Sequence, residues 1–164
     1  GIEDIVDAVI SINKKNRDNI YELDIYGQVE TGQEEWFEKL KKSFPDYISY
    51  KGMVQSDKSV EVIKKYFLLV FPTRFFTEGI PGTILDAYAA GVPVLSSRWK
   101  NFVDVVDDGC TGIGYEFGNL KELINILELI SDFPKTIIEK KYKCLNKAKE
   151  YVPELVLQSL IKRL

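Results

Sequence analysis

The sequence predicts an α/β fold in which helices cover both faces of a doubly wound parallel sheet. Helix-like and strand-like apolar patterns alternate along the chain. Two of the strand-like runs, residues 67–71 and 92–95, are continuously apolar, which is typical of strands buried on both faces. The chain has 164 residues, of which 45% are hydrophobic, and this is enough for one buried core. We therefore expect a single domain over residues 1–164.

Apolar spacing predicts the individual elements. A helix over residues 3–16 is indicated by five apolar residues at helical spacing, Ile2, Ile5, Val6, Val9 and Ile10. The next predicted elements are a strand over 20–26, a helix over 34–43, a strand over 47–51, a helix over 57–66 and a strand over 67–71. They are followed by a helix over 82–90, a strand over 92–97, a short helix near 101–107, a strand over 111–116 and a helix over 119–130. Two more helices, broken at Pro134 and Pro153, complete a helical C-terminus.

The pattern begins on a helix at Gly1, whereas a repeating strand–helix unit begins on a strand. We therefore expect the first strand of the sheet to be missing and the domain to be clipped at its amino-terminal side. A trimmed chain and a natural variant are both consistent with this pattern.

Composition excludes several classes of function. The chain carries 22 basic and 25 acidic residues, a net charge of −3, which argues against a nucleic-acid partner. Histidine is absent, which excludes Ser–His and Cys–His catalytic sites, and we expect neither a metal nor a cofactor. We expect a cytoplasmic protein, because no signal peptide or membrane-spanning run is apparent. Its two cysteines, Cys110 and Cys144, are expected to be reduced.

The segment most suited to ligand binding is the ten-residue connection between Pro72 and Pro81. Connections in such folds usually have about two to six residues, and open parallel sheets bind ligands at the carboxyl ends of their strands. Gly79 in this segment allows the backbone to approach a ligand closely. The predicted helix that follows has free amides at its start, which suit a phosphate or diphosphate group: Gly82, Thr83 and Ile84.

Two acids flank this helix start. Asp86 could accept hydrogen bonds from a ribose diol, and Glu78 could hold sugar hydroxyls. Equally, Glu78 could be a solvated loop acid and Asp86 a charge that favours the helix dipole. Their spacing alone decides nothing in a chain with 25 acids.

The stretch from Glu78 to Ser97 closely resembles the donor-binding signature of the group 1 (family 4) glycosyltransferases, which are two-domain enzymes of the GT-B fold. The likeness extends to residues 25–27, 50–54 and 107–112. It implies that the chain is the Rossmann-like, C-terminal half of such an enzyme. It also implies a nucleotide-diphosphate sugar donor, retention of anomeric configuration, no required metal, and a role in polysaccharide or glycoconjugate assembly.

The resemblance assigns roles position by position, although no catalytic residue is assigned. Asp86 stands where the family has a ribose-binding Glu, so its reach is one methylene shorter. The other implied contacts are to the donor sugar from Glu78, Gly79 and Ile80, to the diphosphate from Gly82, Thr83 and Ile84, and to the base from Met53 and Val54.

Other parts of the family pattern lie outside this sequence. A basic Arg and Lys pair and the missing strand, which lies near the middle of the sheet in the family, would precede Gly1. The N-terminal domain, which would bind a glycan or lipid-linked acceptor, is also absent. We therefore expect the isolated chain to bind donor weakly and to transfer little sugar. A non-catalytic binding or assembly module is the alternative, and a related epimerase or hydrolase is disfavoured by the absence of histidine.

Three further features have two interpretations each. Phe75 and Phe76 fit packing better than stacking on a ligand. Arg74 fits a solvated or carboxylate-paired role better than a phosphate contact. Lys140, Lys141 and Lys143 form a basic run that is either a solvated face or a contact with a membrane surface.

Overall fold

The computed structural model describes residues 1–152. Their five strands are β1 (Leu23–Tyr26), β2 (Ile48–Gly52), β3 (Leu69–Phe71), β4 (Val94–Ser97) and β5 (Gly112–Tyr115). The helices are α1 (Ile2–Asn16), α2 (Glu34–Lys41), α3 (Ser59–Ile63), α4 (Gly82–Ala90), α5 (Phe102–Val105), α6 (Leu120–Asp132), α7 (Lys135–Ile138) and α8 (Lys141–Ala148). Short 3₁₀ turns cover Ser56–Lys58 and Lys149–Tyr151. The predicted order of elements is confirmed, and the predicted break at Pro153 lies outside the described residues.

All strand pairs are parallel, and they form two separate sheets. β1 pairs with β2, with Leu23 opposite Ile48. The second sheet has the order β3-β4-β5. Within residues 1–152 no strand joins β1 to β3, so the sheet is interrupted at this point. The α/β fold with parallel strands is therefore confirmed.

Helices cover both faces of the second sheet, as the apolar strands predicted. Val94 and Leu95 are neighbours on β4, are both fully buried, and belong to two different core clusters. Leu95 packs with α1 and α6, through residues such as Ile12 and Leu123. Val94 packs with α4, α5 and α8 in the second cluster. Alternate residues of a strand face opposite sides, so each face of β4 contributes to its own core.

The predicted strand over 20–26 begins three residues late, at Leu23, because the side chain of Asn13 forms hydrogen bonds with the backbone of Tyr21. Asn13 Nδ2 donates to the Tyr21 carbonyl at 2.8 Å, and the Tyr21 amide donates to Asn13 Oδ1 at 3.0 Å. These two bonds satisfy the Tyr21 backbone without a neighbouring strand. Tyr21, two residues before β1, is therefore bonded to α1 instead of to the sheet.

Helix α4 has the predicted bounds, and its two ends explain why. It begins directly after Pro81, whose extended backbone suits a helix entry. It ends at Gly91, which takes a left-handed conformation with φ 68°. The amide of Val92 then donates to the Ala87 carbonyl at 2.8 Å, which closes the helix. The residues at its entry and exit therefore account for the bounds of α4.

The sequence predicts that both cysteines are reduced. Both are free in the structure: Cys144 is buried and Cys110 is half-buried, so this expectation is met.

The basic run on α8 and just before it had two interpretations. Lys140 Nζ donates to the Gly109 carbonyl, while Lys141 and Lys143 are exposed. None of the helices described is long and apolar enough to cross a membrane.

Candidate functional site

The candidate site is the connection from Pro72 to Pro81, which we call the 72–81 loop, together with the start of α4. The loop leaves the carboxyl end of β3. Ser96 and Ser97 of the neighbouring strand are both fully buried and hold its first residues. Ser96 Oγ donates to the Phe71 carbonyl at 2.8 Å, and Ser97 Oγ donates to the Thr73 carbonyl at 2.7 Å. The loop is therefore fixed where it leaves the sheet.

The middle of the loop is held by the segment after β4. The Lys100 amide donates to the Phe76 carbonyl at 2.9 Å, and Asn101 Nδ2 donates to the Glu78 carbonyl at 3.1 Å. The Phe76 ring packs edge-on against Phe117, with centroids 5.3 Å apart, which agrees with the packing role predicted for it. The backbone of Glu78 is therefore fixed, while the residue itself is half-buried.

An ion pair joins the loop to α1. Arg74 Nε donates to Asp4 Oδ2 at 3.0 Å, and Arg74 Nη2 bonds the other carboxylate oxygen. The Asp4 side chain is buried, and its hydrogen bond raises the pKa of Arg74 further above its usual value. The carboxylate-paired interpretation of Arg74 is thus confirmed. The guanidinium is already engaged and is not a free phosphate ligand.

The start of α4 presents two free amides, not the three that were predicted. The amides of Gly82 and Thr83 have no acceptor among the described residues, and both residues are exposed. The Ile84 amide instead donates to the Pro81 carbonyl at 3.0 Å, and the Ile84 side chain is fully buried. The prediction that Ile84 offers a free amide is wrong, because the first turn of the helix tightens onto Pro81.

The two acids of the site are half-buried and unpaired. Within the described residues, neither the Glu78 nor the Asp86 carboxylate accepts a hydrogen bond or forms an ion pair. Asp86 lies in the second turn of α4, and Glu78 precedes the helix by four residues. An ionised carboxylate accepts several hydrogen bonds, so both groups retain their full capacity for external hydroxyls.

Met53 and Val54 lie after β2 and line a cavity of about 600 Å³. Its rim also includes Gly27 after β1 and Thr83 of α4, so the ends of separate elements meet there. Met53 is 67% exposed, as expected for an open rim. The structure therefore brings Met53, Val54 and Thr83 together on one cavity.

The remaining predicted contacts lie outside that cavity. Gly79 and Ile80 are exposed on the 72–81 loop, and Ile80 is 61% exposed. Glu78 and Asp86 are likewise not part of the cavity lining. The predicted contacts therefore fall into two sets, one on the lining of the cavity and the other on the 72–81 loop and α4.

Sequence reasoning missed the residues that position the loop. Asp4 bonds the arginine of the loop, Ser97 and Asn101 bond its backbone, and Ser96 bonds the carbonyl of Phe71 just before it. Polar serines in an otherwise apolar buried strand were the one available signal, since a buried hydroxyl requires a partner.

Parallel strands with helices on both faces, and a glycine-containing loop that enters a helix with free amides, are typical of an α/β domain that binds a phosphate-bearing ligand. The chain belongs to the group 1 glycosyl transferases, because the model of that family matches residues 1–132. A curated relative, an uncharacterised glycosyltransferase of Methanocaldococcus jannaschii, is 21% identical over 92% of this chain and 40% of its own length.

Solved structures share the fold. Anabaena HepE, solved in complex with UDP and glucose, is 15% identical with a TM-score of 0.82 over 99% of this chain and 44% of its own. TarM is 18% identical with a TM-score of 0.77, over 98% of this chain and 32% of its own. The pneumococcal O-GlcNAc transferase GtfA, in complex with UDP and GlcNAc, is 17% identical with a TM-score of 0.74, over 99% of this chain and 32% of its own. This chain thus spans less than half the length of each of these relatives.

Proposed function

We propose that this chain is the donor-binding part of a retaining group 1 glycosyltransferase and binds a nucleotide-diphosphate sugar at the carboxyl edge of its sheets. The observation that carries the proposal is the start of α4, where two unpaired amides stand between a fixed glycine-containing loop and an unpaired acid. This combination offers an anion site next to a site for hydroxyls, which is what a sugar diphosphate requires.

In this proposal the diphosphate lies at the amides of Gly82 and Thr83. Helix α4 has nine residues, so its dipole adds partial positive charge at the same place. Asp86 accepts hydrogen bonds from the ribose diol, and Glu78 accepts them from the donor sugar. Met53 and Val54 contact the base through the rim of the cavity.

The contribution of these residues to sugar transfer would be positioning. The loop is held by three hydrogen bonds from Ser97, Lys100 and Asn101, and Ser96 holds Phe71 just before it, so little conformational freedom remains to be lost when donor binds. The departing diphosphate carries negative charge, and two amides with a helix dipole supply part of its stabilisation. Arg74 is engaged with Asp4, so the proposal does not count it among the groups that neutralise the diphosphate.

The acceptor is proposed to be a glycan or a lipid-linked saccharide, held by a separate acceptor-binding domain, in cytoplasmic assembly of surface polysaccharide. UDP is the nucleotide bound in the HepE and GtfA structures. We therefore choose UDP and UDP-glucose as first probes for this chain.

The test is calorimetric titration of the wild-type chain and two matched acid-to-amide variants with UDP-glucose. Asp86→Asn removes the proposed ribose acceptor, and a lost hydrogen bond to a charged group lowers affinity about tenfold or more. Asp46→Asn is the control, because Asp46 is exposed in the turn before β2, at the opposite edge of the sheet. Equal affinities for the two variants would contradict the ribose assignment.

A non-catalytic binding module is the second candidate, because the roles proposed for residues of this chain are contacts with the donor and none of them is a catalytic role. A fusion of this chain to an acceptor-binding domain distinguishes the two candidate functions. Sugar transfer by the fusion supports the glycosyltransferase, and donor binding without transfer supports the non-catalytic module.

A further inference from the structure

The segment that contains α7 and α8 is strongly basic, although the chain as a whole is acidic. Residues 133–149 contain six lysines, no arginine and one acid, which is a net charge of +5, whereas the whole chain has a net charge of −3. Positive charge is therefore concentrated on one short segment, and the rest of the chain is more acidic than the total indicates. The six residues are Lys135, Lys140, Lys141, Lys143, Lys147 and Lys149.

The fold uses only two of these lysines. Lys140 Nζ donates to the Gly109 carbonyl, and Lys147 Nζ forms an ion pair with Asp107 at 3.2 Å. The other four are exposed, and none of them forms an ion pair with an acid of the described part of the chain. These four are Lys135, Lys141, Lys143 and Lys149.

Helix stability does not account for the lysines at the start of α8. Lys141 and Lys143 lie in its first turn, and this turn contains no acid. The amino-terminal end of a helix carries partial positive charge, so lysines at this position are unfavourable for the helix. Their charge adds to that of the helix end and makes this part of the surface attractive to an anion.

Large apolar side chains are exposed among the lysines. Tyr142 is 70% exposed, Phe133 is 60% exposed and Ile138 is 51% exposed. The core side of the same segment is formed by other residues, because Ile137 is buried in the first core and Cys144 in the second. The segment therefore has one apolar side in the core and a second apolar set in contact with solvent.

The exposed residues fall on one helical face. Glu139 and Lys140, which join α7 to α8, both have right-handed helical backbone angles, so helical spacing continues across the junction. Steps of three and four residues along it connect five exposed side chains, which lie on the same side of a helix. We call them the α7–α8 face: Lys135, Ile138, Tyr142, Leu145 and Lys149. Its centre is apolar, and a lysine stands at each end.

The α7–α8 face lies at the edge of the sheet opposite to the proposed donor site. Lys140 bonds Gly109, which precedes β5, and a Cβ on Gly91, which precedes β4, would lie 3.2 Å from Leu145. Helix α8 is therefore next to the amino ends of two parallel strands. The 72–81 loop leaves the carboxyl end of β3, so the two surfaces do not overlap. The inference drawn from this face does not depend on the proposed function.

We propose that the α7–α8 face binds the surface of a membrane that contains anionic lipid. In this proposal Ile138 and Tyr142 lie at the level of the headgroups, and the lysines around them pair with headgroup phosphates. Clusters of about four to eight basic residues are typical of segments that bind anionic lipid. An amphipathic helix with lysines beside its apolar face lies in the plane of the interface, and tyrosine is enriched at that depth.

The composition of the face favours a lipid surface over a protein. Lysine is depleted at protein–protein interfaces, whereas arginine is enriched there because its planar fork matches a fixed carboxylate. The segment has six lysines and no arginine. A lysine is a point charge on a flexible stem, which suits headgroups whose positions are not fixed. A second copy of the same face is disfavoured, because it would place lysines against lysines.

The test is sedimentation of the full chain with lipid vesicles, without nucleotide. One set of vesicles contains phosphatidylcholine and phosphatidylglycerol at a ratio of about 2:1, and the other contains phosphatidylcholine alone. We expect binding to the anionic vesicles that is at least tenfold tighter than binding to the neutral ones, and that weakens as salt is added. Equal binding to the two sets, or no binding to the anionic set, would overturn the proposal.

A pair of lysine substitutions tests the position of the charge. Lys141→Gln with Lys143→Gln removes two charges from the start of α8. Lys64→Gln with Lys65→Gln is the matched control, because both residues are exposed just after α3 and neither pairs with a described acid. One lysine near an anionic surface contributes about fivefold in affinity, so the first variant should bind about twentyfold more weakly and the control nearly as wild type. Equal losses in the two variants would mean that net charge alone decides, and would overturn the proposal.

A fluorescent reporter tests the orientation. Tyr142→Trp places an indole at the centre of the face, and Val103→Trp places one on α5, where the side chain is 74% exposed. Anionic vesicles should shift the emission of the first variant to shorter wavelength and leave the emission of the second unchanged, because only the first indole enters the interface. Vesicle binding without a shift at position 142 would show that another surface binds lipid, which would overturn the assignment to this face.

Two further outcomes would replace the membrane by another occupant. Binding to soluble poly-glutamate as tight as binding to the anionic vesicles would identify an acidic protein as the partner. Dimerisation in the absence of lipid, detected by analytical sedimentation and abolished by Tyr142→Ser, would identify a second copy of the chain. We expect neither, since the exposed apolar centre of the face requires a partner with an apolar interior.

Discussion

Arg74 on the 72–81 loop and Asp4 in the first turn of α1 form a two-point ion pair between elements 70 residues apart in sequence. Asp4 is 6% exposed, so its carboxylate relies on this partner for its hydrogen bonds. The pair therefore couples the position of the loop to the position of α1.

Removal of the arginine should destabilise the fold because it leaves a buried carboxylate without its partner. We expect Arg74→Gln to lower the free energy of unfolding by about 1–2 kcal/mol, a value reduced from that of a fully buried pair because Arg74 is half-exposed. Urea denaturation measures this, with Lys143→Gln at an exposed, unpaired position as the control. Indistinguishable midpoints for the two variants would show that the pair adds no stability.

Two glycines should respond differently to the same substitution. A Cβ at Gly112 of β5 would lie within van der Waals overlap of the Val94 carbonyl and of Val106, whereas a Cβ at Gly79 would meet nothing. Gly112→Ala should therefore cost about 1–3 kcal/mol of stability, and Gly79→Ala less than about 1 kcal/mol. Thermal melting of both variants checks this, and a fully stable Gly112→Ala chain would contradict the described packing of β4 against β5.

The two thiols should differ in reactivity. Burial raises the pKa of Cys144 to about 12, and its Sγ bonds the Thr111 carbonyl in the second core. Cys110 is half-buried in a turn. Iodoacetamide at neutral pH should therefore label Cys110 and leave Cys144 unmodified until the chain unfolds, as measured by mass spectrometry. Rapid labelling of Cys144 in the native chain would show that the core beneath α8 is accessible to the reagent.

Stability should decrease in alkaline solution. Burial raises the pKa of Tyr21 to about 12, and it also raises the pKa values of Tyr88 and Tyr115 above the ordinary value of 10.0. Above about pH 10 the unfolded chain loses phenolic protons that the folded chain retains, so the unfolded state binds fewer protons. Stability from these groups is therefore complete below about pH 9 and falls as the pH rises, by up to about 1.4 kcal/mol per pH unit for each phenol.

Urea denaturation at several pH values checks this prediction. The unfolding free energy should be nearly level between about pH 7 and 8 and should begin to fall near pH 9, where the thiol of Cys144 ionises in the unfolded chain only. The fall should become steeper at about pH 10 to 11, where the phenols ionise in the unfolded chain. Constant stability over the whole alkaline range would mean that these phenols are accessible to solvent in the folded chain.

The isolated chain is expected to transfer little or no sugar. Arg74, the cation on the 72–81 loop, is engaged with Asp4, so it is not free to neutralise the leaving diphosphate. Incubation with UDP-glucose and a saccharide acceptor, followed by chromatography, measures this. Appreciable turnover by these 164 residues alone would contradict the prediction.

Local signals predicted the elements whose ends are set by their own residues. Helix α4 was predicted to the residue because Pro81 and Gly91 define its entry and exit. The family resemblance, carried by residues 78–97, was confirmed by the match over residues 1–132. The roles of Glu78, Asp86 and the other site residues stay predictions.

Long-range contacts decided what the sequence could not. Tyr21 is not part of β1 because Asn13 bonds its backbone. Arg74 pairs with Asp4, which lies 70 residues away in sequence. The amide of Ile84 is not free because it donates to the carbonyl of Pro81. This bond is local, but it depends on the exact geometry of the first helical turn, which the pattern of residue types does not specify. Such pairings depend on how the elements pack, and apolar periodicity does not report them.

Nucleotide-induced shifts of backbone amide resonances test the central claim most directly, with UDP added to the labelled chain up to millimolar concentration. The account predicts the largest shifts at Gly82, Thr83, Met53 and Val54, with the amino-terminal edge around Asp46 unaffected. No shifts at any concentration, or shifts confined to surfaces away from the start of α4, would contradict it.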